Sequence, residues 1–218
     1  MTLSSLLRSP LASRFCSALL LCGSLAWLTS CGVDSTPAET TVTAATSTEP
    51  SPEGTRYELH LHHLHTGENL DIVYRVGDRY LPEAVDELNH FLRDHRTQDV
   101  HSYDPREFDA LHALLARLKR PDATIDIVCG YRTPWSNQYL RTRGGRVAPR
   151  LTGVAEHSQH MLAKAIDIRV PGVSTLALRN AALSLHAGGV GYYPSSQFVH
   201  VDVGPVREWT FGRRHHEG

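Results

Sequence analysis

Residues 156–170 read EHSQHMLAKAIDIRV, with His160 and Asp167 seven positions apart at the entrance to an apolar, strand-like run. Two readings fit this stretch by itself. The pair is part of a metal site, or His157 and His160, at i and i+3, lie on a helix surface ahead of an ordinary buried strand. Which one holds depends on what the rest of the chain brings to KAIDIRV.

Downstream, STLALRNAALSLHA has the apolar spacing of an amphipathic helix, and GGVGYY and FVHVDVG read as the final strands. Strand alternation puts His200 and Asp202 on one face of FVHVDVG, opposite Val199, Val201 and Val203. A histidine among valines is costly without a partner, which makes His200 the candidate third ligand. A carboxylate beside a ligand histidine can orient it or accept a proton from metal-bound water, so both roles are open for Asp202.

Upstream, ATIDIVC is a compact β-rich run delivering the chain into GYRTPWSNQYLR, where Gly130 and Pro134 punctuate a loop before a short helix. RTRGGRVAPRLTG is a basic, glycine-rich loop. LPEAVDELNHFLRDHR and DPREFDALHALLARLKR carry helical spacing, the second with a predicted start signal of Asp104 as cap, Pro105 in the first turn and Glu107 completing a capping box. YELHLHHLHTGENLDIVYRV reads as two strands around Thr66-Gly67, with His60 and His62 on one face and His63 and His65 on the other. No carboxylate accompanies these histidines locally, so they are read as a polar strand face; His90, His95 and His112 are read as surface or core-edge residues. Helices and strands mix without regular alternation, which predicts an α+β fold with a small antiparallel sheet flanked by helices.

The first thirty residues stand apart. Arg8 and Arg14 precede FCSALLLCGSLAWL, an apolar run too short to span a bilayer comfortably and laid out like an export signal. It ends in Leu28-Thr29-Ser30-Cys31, which resembles a bacterial lipobox and predicts lipidation at Cys31. Residues 31–56 are rich in Thr, Ser, Pro and Ala and read as a disordered tether. The folded domain is predicted at 57–212, with a flexible tail at 213–218. Cys16 and Cys22 fall in the signal and Cys31 in the lipobox, so Cys129 is the domain's lone cysteine and a disulfide framework is excluded. A formal charge of −1 and the lack of a basic stripe argue against a nucleic-acid partner. HExxH and GxSxG are absent, which removes the helical zincin and the serine hydrolase readings.

The blocks SQHMLAKAID, FVHVDVG, CGYRTPWSNQYLR and GGVGYYPSSQFVH, with LHTGE at 64–68 and LNHFLRDHR, resemble in order the murein endopeptidase K group of metallopeptidases from about Tyr57 to Trp209. Its fold is shared by lysostaphin-type enzymes, zinc D-alanyl-D-alanine peptidases and the hedgehog signalling domain. The resemblance implies a single zinc ion held by His160, Asp167 and His200, and a cleft in which Arg132 binds a substrate carboxylate or the developing oxyanion. It departs from the pattern at Ala163, where glycine is usual, and at Cys129, where serine is common. The base that several relatives carry just before the last ligand falls on Gln197 and Phe198, which cannot serve. Asp202, then His157, then Glu156 are the substitutes. The expectation is a zinc endopeptidase hydrolysing peptide cross-links of peptidoglycan, anchored by lipid on the periplasmic side, with the outer membrane favoured because Gly32 follows Cys31. The alternative is a non-catalytic, zinc-stabilised wall-binding module of the same fold.

Overall fold

The computed structural model describes residues 53–148 and 152–212. The export signal, the lipobox at Cys31, nearly all of the tether and the 213–218 tail lie outside the described residues.

The alternation in RYELHLHH directs Leu59, Leu61 and His63 inward, giving strand β1 (Arg56–His63). The chain turns through Gly67 into antiparallel β2 (Asn69–Val76) and a short β3 (Arg79–Tyr80). Helix α1 (Pro82–Phe91) opens on Pro82, whose missing N–H matters least in a first turn. In α2 (Arg106–Arg117), Phe108, Leu111, Leu114 and Leu115 form one buried stripe. Each such fully buried side chain contributes roughly 2 kcal/mol.

The start of α2 differs from the predicted capping box. Asp104 accepts the Arg106 N–H at 3.1 Å as expected of a cap. Glu107 does not reach back; it is buried with both carboxylate oxygens unpartnered. Burial first, and then the charge of Asp202, holds its carboxyl well above the usual range, which favours the neutral acid in the core.

The remaining elements are β4 (Thr124–Cys129), α3 (Pro134–Thr142), β5 (Ala165–Arg169), α4 (Thr175–Leu185), β6 (Gly189–Tyr193), β7 (Phe198–Asp202) and β8 (Arg207–Thr210). The last of these, REWT, is a strand beyond the two read as final. The eight strands form one sheet in the order β3-β2-β1-β4-β5-β7-β6-β8. It is larger than the predicted small antiparallel sheet, and mixed: β1 pairs β4, and β6 pairs β8, in parallel. The α+β class holds. The core includes the leucines of α1 and α2, Leu178 and Ala182 of α4, and Ile166, Ile168, Val199 and Val201 of the central strands.

The half-exposed strand histidines have carboxylate partners after all, supplied by neighbouring strands. His60 Nδ1 meets Asp71 at 2.7 Å across the β1–β2 pair, and His62 Nδ1 meets Asp126 at 3.0 Å across β1–β4.

Candidate metal centre

Because Ile166 and Ile168 belong to the core, strand periodicity sends Asp167 to the opposite face, and Val199 and Val201 do the same for His200. The register then pairs Asp167 directly with His200, Cys129 with Asp167, His200 with Gly191 and Gly191 with Trp209. One transverse row across five strands therefore carries the site. Gly191 is part of the design: a Cβ there would stand 2.6 Å from the Trp209 ring, which packs on His200 at 5.0 Å between centroids.

His160 comes from a single 3-10 turn, Gln159–Leu162, started by Ser158 Oγ accepting the His160 N–H at 3.3 Å. The turn ends on Ala163 at φ 49°, the left-handed conformation that glycine adopts without strain. It docks on the GYR loop, with Arg132 N donating to the His160 carbonyl at 3.2 Å. Gly130 is required where this loop meets α1's end, since a Cβ would lie 2.5 Å from the Leu92 carbonyl oxygen.

Three atoms converge. His160 Nε2 lies 3.1 Å from Asp167 Oδ1 and 3.1 Å from His200 Nδ1, and His200 Nδ1 lies 3.0 Å from Asp167 Oδ1. The outer hydrogen bonds set the tautomers. His160 Nδ1 faces the Gly130 carbonyl at 2.8 Å, which can only accept, so the proton sits on Nδ1 and the Nε2 lone pair points inward. His200 Nε2 donates to Asp202 at 3.0 Å, which leaves its Nδ1 lone pair inward as well. Two lone pairs and a carboxylate oxygen packed edge to edge could hold a cation, and a donor set of two imidazoles and one carboxylate is of a type that zinc accepts. Burial, with Arg132 adding to it, lowers His160 to about 4, keeping it a neutral donor. Burial would lower His200 too, but the carboxylates of Asp167 and Asp202 on either side of the ring outweigh it and raise it. That field favours positive charge at the centre.

Burial would raise Asp167, yet His160, His200 and Arg132 together hold its carboxyl well below the usual range. Its second oxygen, Oδ2, accepts from Arg132 Nη2 at 2.7 Å, leaving Oδ1 for the histidines. Arg132 also gives its Nε–H to Cys129 Sγ at 2.9 Å, so two of its nitrogens are committed, and the residue lines the cleft. The Cys129 thiol shares the neighbourhood, with ligand-type atoms of Cys129, His160 and Asp167 all within 4.8 Å of one another. Burial pushes this thiol up, and a neutral thiol occupied by Arg132 is a poor competitor to His200.

The three candidate bases separate by position. Asp202 lies behind His200, with its side chain fully enclosed, accepting the N–H groups of Gly189 and Gly204 and the guanidinium of Arg207. Of its two open roles, this geometry is that of an orienting carboxylate. Glu156 is exposed and pairs with Arg141 at 3.1 Å, outside the cleft lining. His157 is exposed and lines the cleft.

That cleft, about 710 Å³, runs over the row and is also lined by His65, His95, Arg96, Arg143, Tyr193, Phe198 and Arg207. Residue spacing gave no sign of His65, His95 and Arg96. They come from turns far apart in sequence, and only the interlocking of those turns makes them neighbours.

A family model described as Peptidoglycan L,D-endopeptidase MepK matches residues 51–209. The chain is 41% identical over 153 residues to the peptidoglycan L,D-endopeptidase MepK of Escherichia coli (strain K12), a span of 69% of this chain and 79% of that protein. It is 39% identical over 151 residues to the "Probable peptidoglycan L,D-endopeptidase MepK" of Haemophilus influenzae, a span of 69% of this chain and 77% of that protein. No solved structure matches it.

Proposed function

The chain belongs to the peptidoglycan L,D-endopeptidase MepK family, and on that premise we propose that it hydrolyses peptide cross-links of peptidoglycan at an L,D bond, with zinc as its metal. The observation that carries the metal reading is the triangle of His160 Nε2, Asp167 Oδ1 and His200 Nδ1, with sides of 3.0–3.1 Å. These three would hold the ion. When bound, zinc supplies Lewis acidity that polarises a carbonyl and acidifies water.

The protein's own groups divide the remaining work. Asp202 fixes the His200 ring and its tautomer, and Arg132 does the same for the Asp167 carboxylate. Arg132, held by Asp167 and Cys129 and lining the cleft, donates to an oxyanion or a substrate carboxylate. His157 is the proton carrier, because it alone among the three candidate bases lines the cleft. The site works on the cell envelope, on the periplasmic side. The lipobox-like Leu28-Thr29-Ser30-Cys31 supports a lipid anchor on Cys31, with the outer membrane favoured by Gly32, and residues 31–56 as the tether that lets the domain reach the wall.

The test pairs metal analysis of the purified protein with digestion of isolated peptidoglycan and mass analysis of the products. One zinc per chain and release of L,D-cleaved muropeptides are expected, both lost in His160→Ala. Zinc-loaded protein that leaves the muropeptide profile unchanged would sink the endopeptidase reading and leave a wall-binding module.

A further inference from the structure

The part of the cleft lined by His65, His95 and Arg96 is held by three separate segments locked together by charge-assisted bonds. Arg93 clamps Glu68 through both terminal nitrogens, at 3.1 and 3.0 Å, tying the turn after α1 to the turn that carries His65. Asp94 Oδ1 takes the Arg96 N–H at 3.0 Å, while its Oδ2 takes Thr133 N at 2.8 Å and Thr133 Oγ1 at 2.9 Å, tying the same turn to the residue after Arg132. His65 and His95 stack at 4.2 Å between centroids, 14° from parallel, beside Arg96.

The cleft's charge is lopsided. Four arginines line it, Arg96, Arg132, Arg143 and Arg207, against Asp167 as the lining carboxylate among the described residues. Arg132 is taken by Asp167 and Arg207 by Asp202. Arg96 and Arg143 have no carboxylate partner among the described residues. Arg143 is exposed on the left-handed cap of α3, beside the glycine loop. Arg96 is half-buried on the braced turn and lines the cleft together with Cys129 and Arg132.

Building on the endopeptidase reading above, we propose that Arg96, which lines the cleft together with the stacked imidazoles of His65 and His95, is a subsite that binds a carboxylate of the peptide stem. A guanidinium on a rigid turn recognises a carboxylate with two parallel N–H donors. Burial and then the Arg96 charge lower His95 to about 4 and lower His65 as well, so Arg96 is the cation of this wall.

The experiment uses the full, zinc-loaded chain as wild type, Arg96→Gln and Arg96→Lys. Steady-state kinetics are measured on a cross-linked muropeptide dimer and on the same dimer with its carboxylates amidated. Loss of a hydrogen bond to a charged group predicts a fall in kcat/KM of about tenfold to a hundredfold for Arg96→Gln on the free acid, carried by KM. On the amidated dimer the variant should match wild type, and Arg96→Lys should fall between. An equal loss on both substrates, a loss in kcat alone, or a loss of bound zinc would overturn the proposal by making Arg96 merely structural. Calorimetric binding of an uncross-linked stem peptide keeps the two readings apart. If wild type binds it more tightly than Arg96→Gln but cleaves no dimer, the subsite stands and the endopeptidase reading falls; equal affinity overturns the subsite.

Discussion

Two groups of histidines stand at and behind the cleft, and they behave oppositely. His160 and His200 aim lone pairs at a shared carboxylate and back onto hydrogen-bond acceptors. His63, His65 and His95 present ring faces and edges to one another at 4.2–6.1 Å between centroids. His63 Nδ1 already accepts the N–H groups of His65 and Thr66, and its Nε2 is buried without a partner. Histidine number is thus not what makes a cation site. Inward-facing lone pairs around a buried carboxylate are.

The comparison breaks most violently at Asp167. Asp167→Asn leaves the buried Arg132 guanidinium uncompensated and removes the anion both histidines face, so we expect zinc to be lost and stability to fall by about 3–5 kcal/mol in denaturant titrations. Undiminished zinc binding in that variant would refute the carboxylate's central place.

Protons should separate the two groups next. His63 and His95 are lowered to about 4, His63 by burial and then by His65, His95 by burial and then by Arg96. A folded-state pKa below the unfolded 6.5 means that their stabilising contribution is complete above about 6.5 and disappears as pH falls toward about 4. For His63 this is at most about 3 kcal/mol, and for half-buried His95 solvent screening makes it smaller. Urea denaturation at several pH values should show a shallower decline in His63→Gln than in wild type; parallel declines would contradict the assignment.

Asp202→Asn probes the orienting bond on the outer side of the metal triangle. Zinc affinity is expected to drop about 10- to 100-fold, with activity recovered by added zinc. Normal zinc affinity with lost turnover would instead return the base role to Asp202.

The smallest effect concerns the turns themselves. The His65 turn passes through Gly67 at φ 76°, whereas the His160 turn reaches φ 49° at Ala163. Relief of left-handed strain in Ala163→Gly, about 1–2 kcal/mol, is offset by about 0.8 kcal/mol of lost methyl burial and by added backbone entropy. The melting temperature should move by only a few degrees, and a large drop would mean that the methyl is a packing element.

Much was legible in residue order, because it depends on periods of two and 3.6 residues. The helices α1, α2 and α4, the hairpin around Thr66-Gly67, and strands β4 to β7 follow from local alternation and spacing, as does the placement of His200 and Asp202 on one strand face. The ordered motif blocks pointed to His160, Asp167 and His200, and the structure brings these three together. What local patterns lack is register between strands. Pairing of Asp167 with His200, addition of β8 at the sheet edge so that Trp209 packs on His200, and the parallel pairs that make the sheet mixed are decided by long-range contacts. The same is true of Glu107, whose place in a capping box gave way to burial, and of Asp202, whose face was readable but whose position behind His200 was not. Arg96 beside His65 and His95 is the furthest from sequence, since it exists only where Arg93–Glu68 and Asp94–Thr133 bind distant turns into one wall.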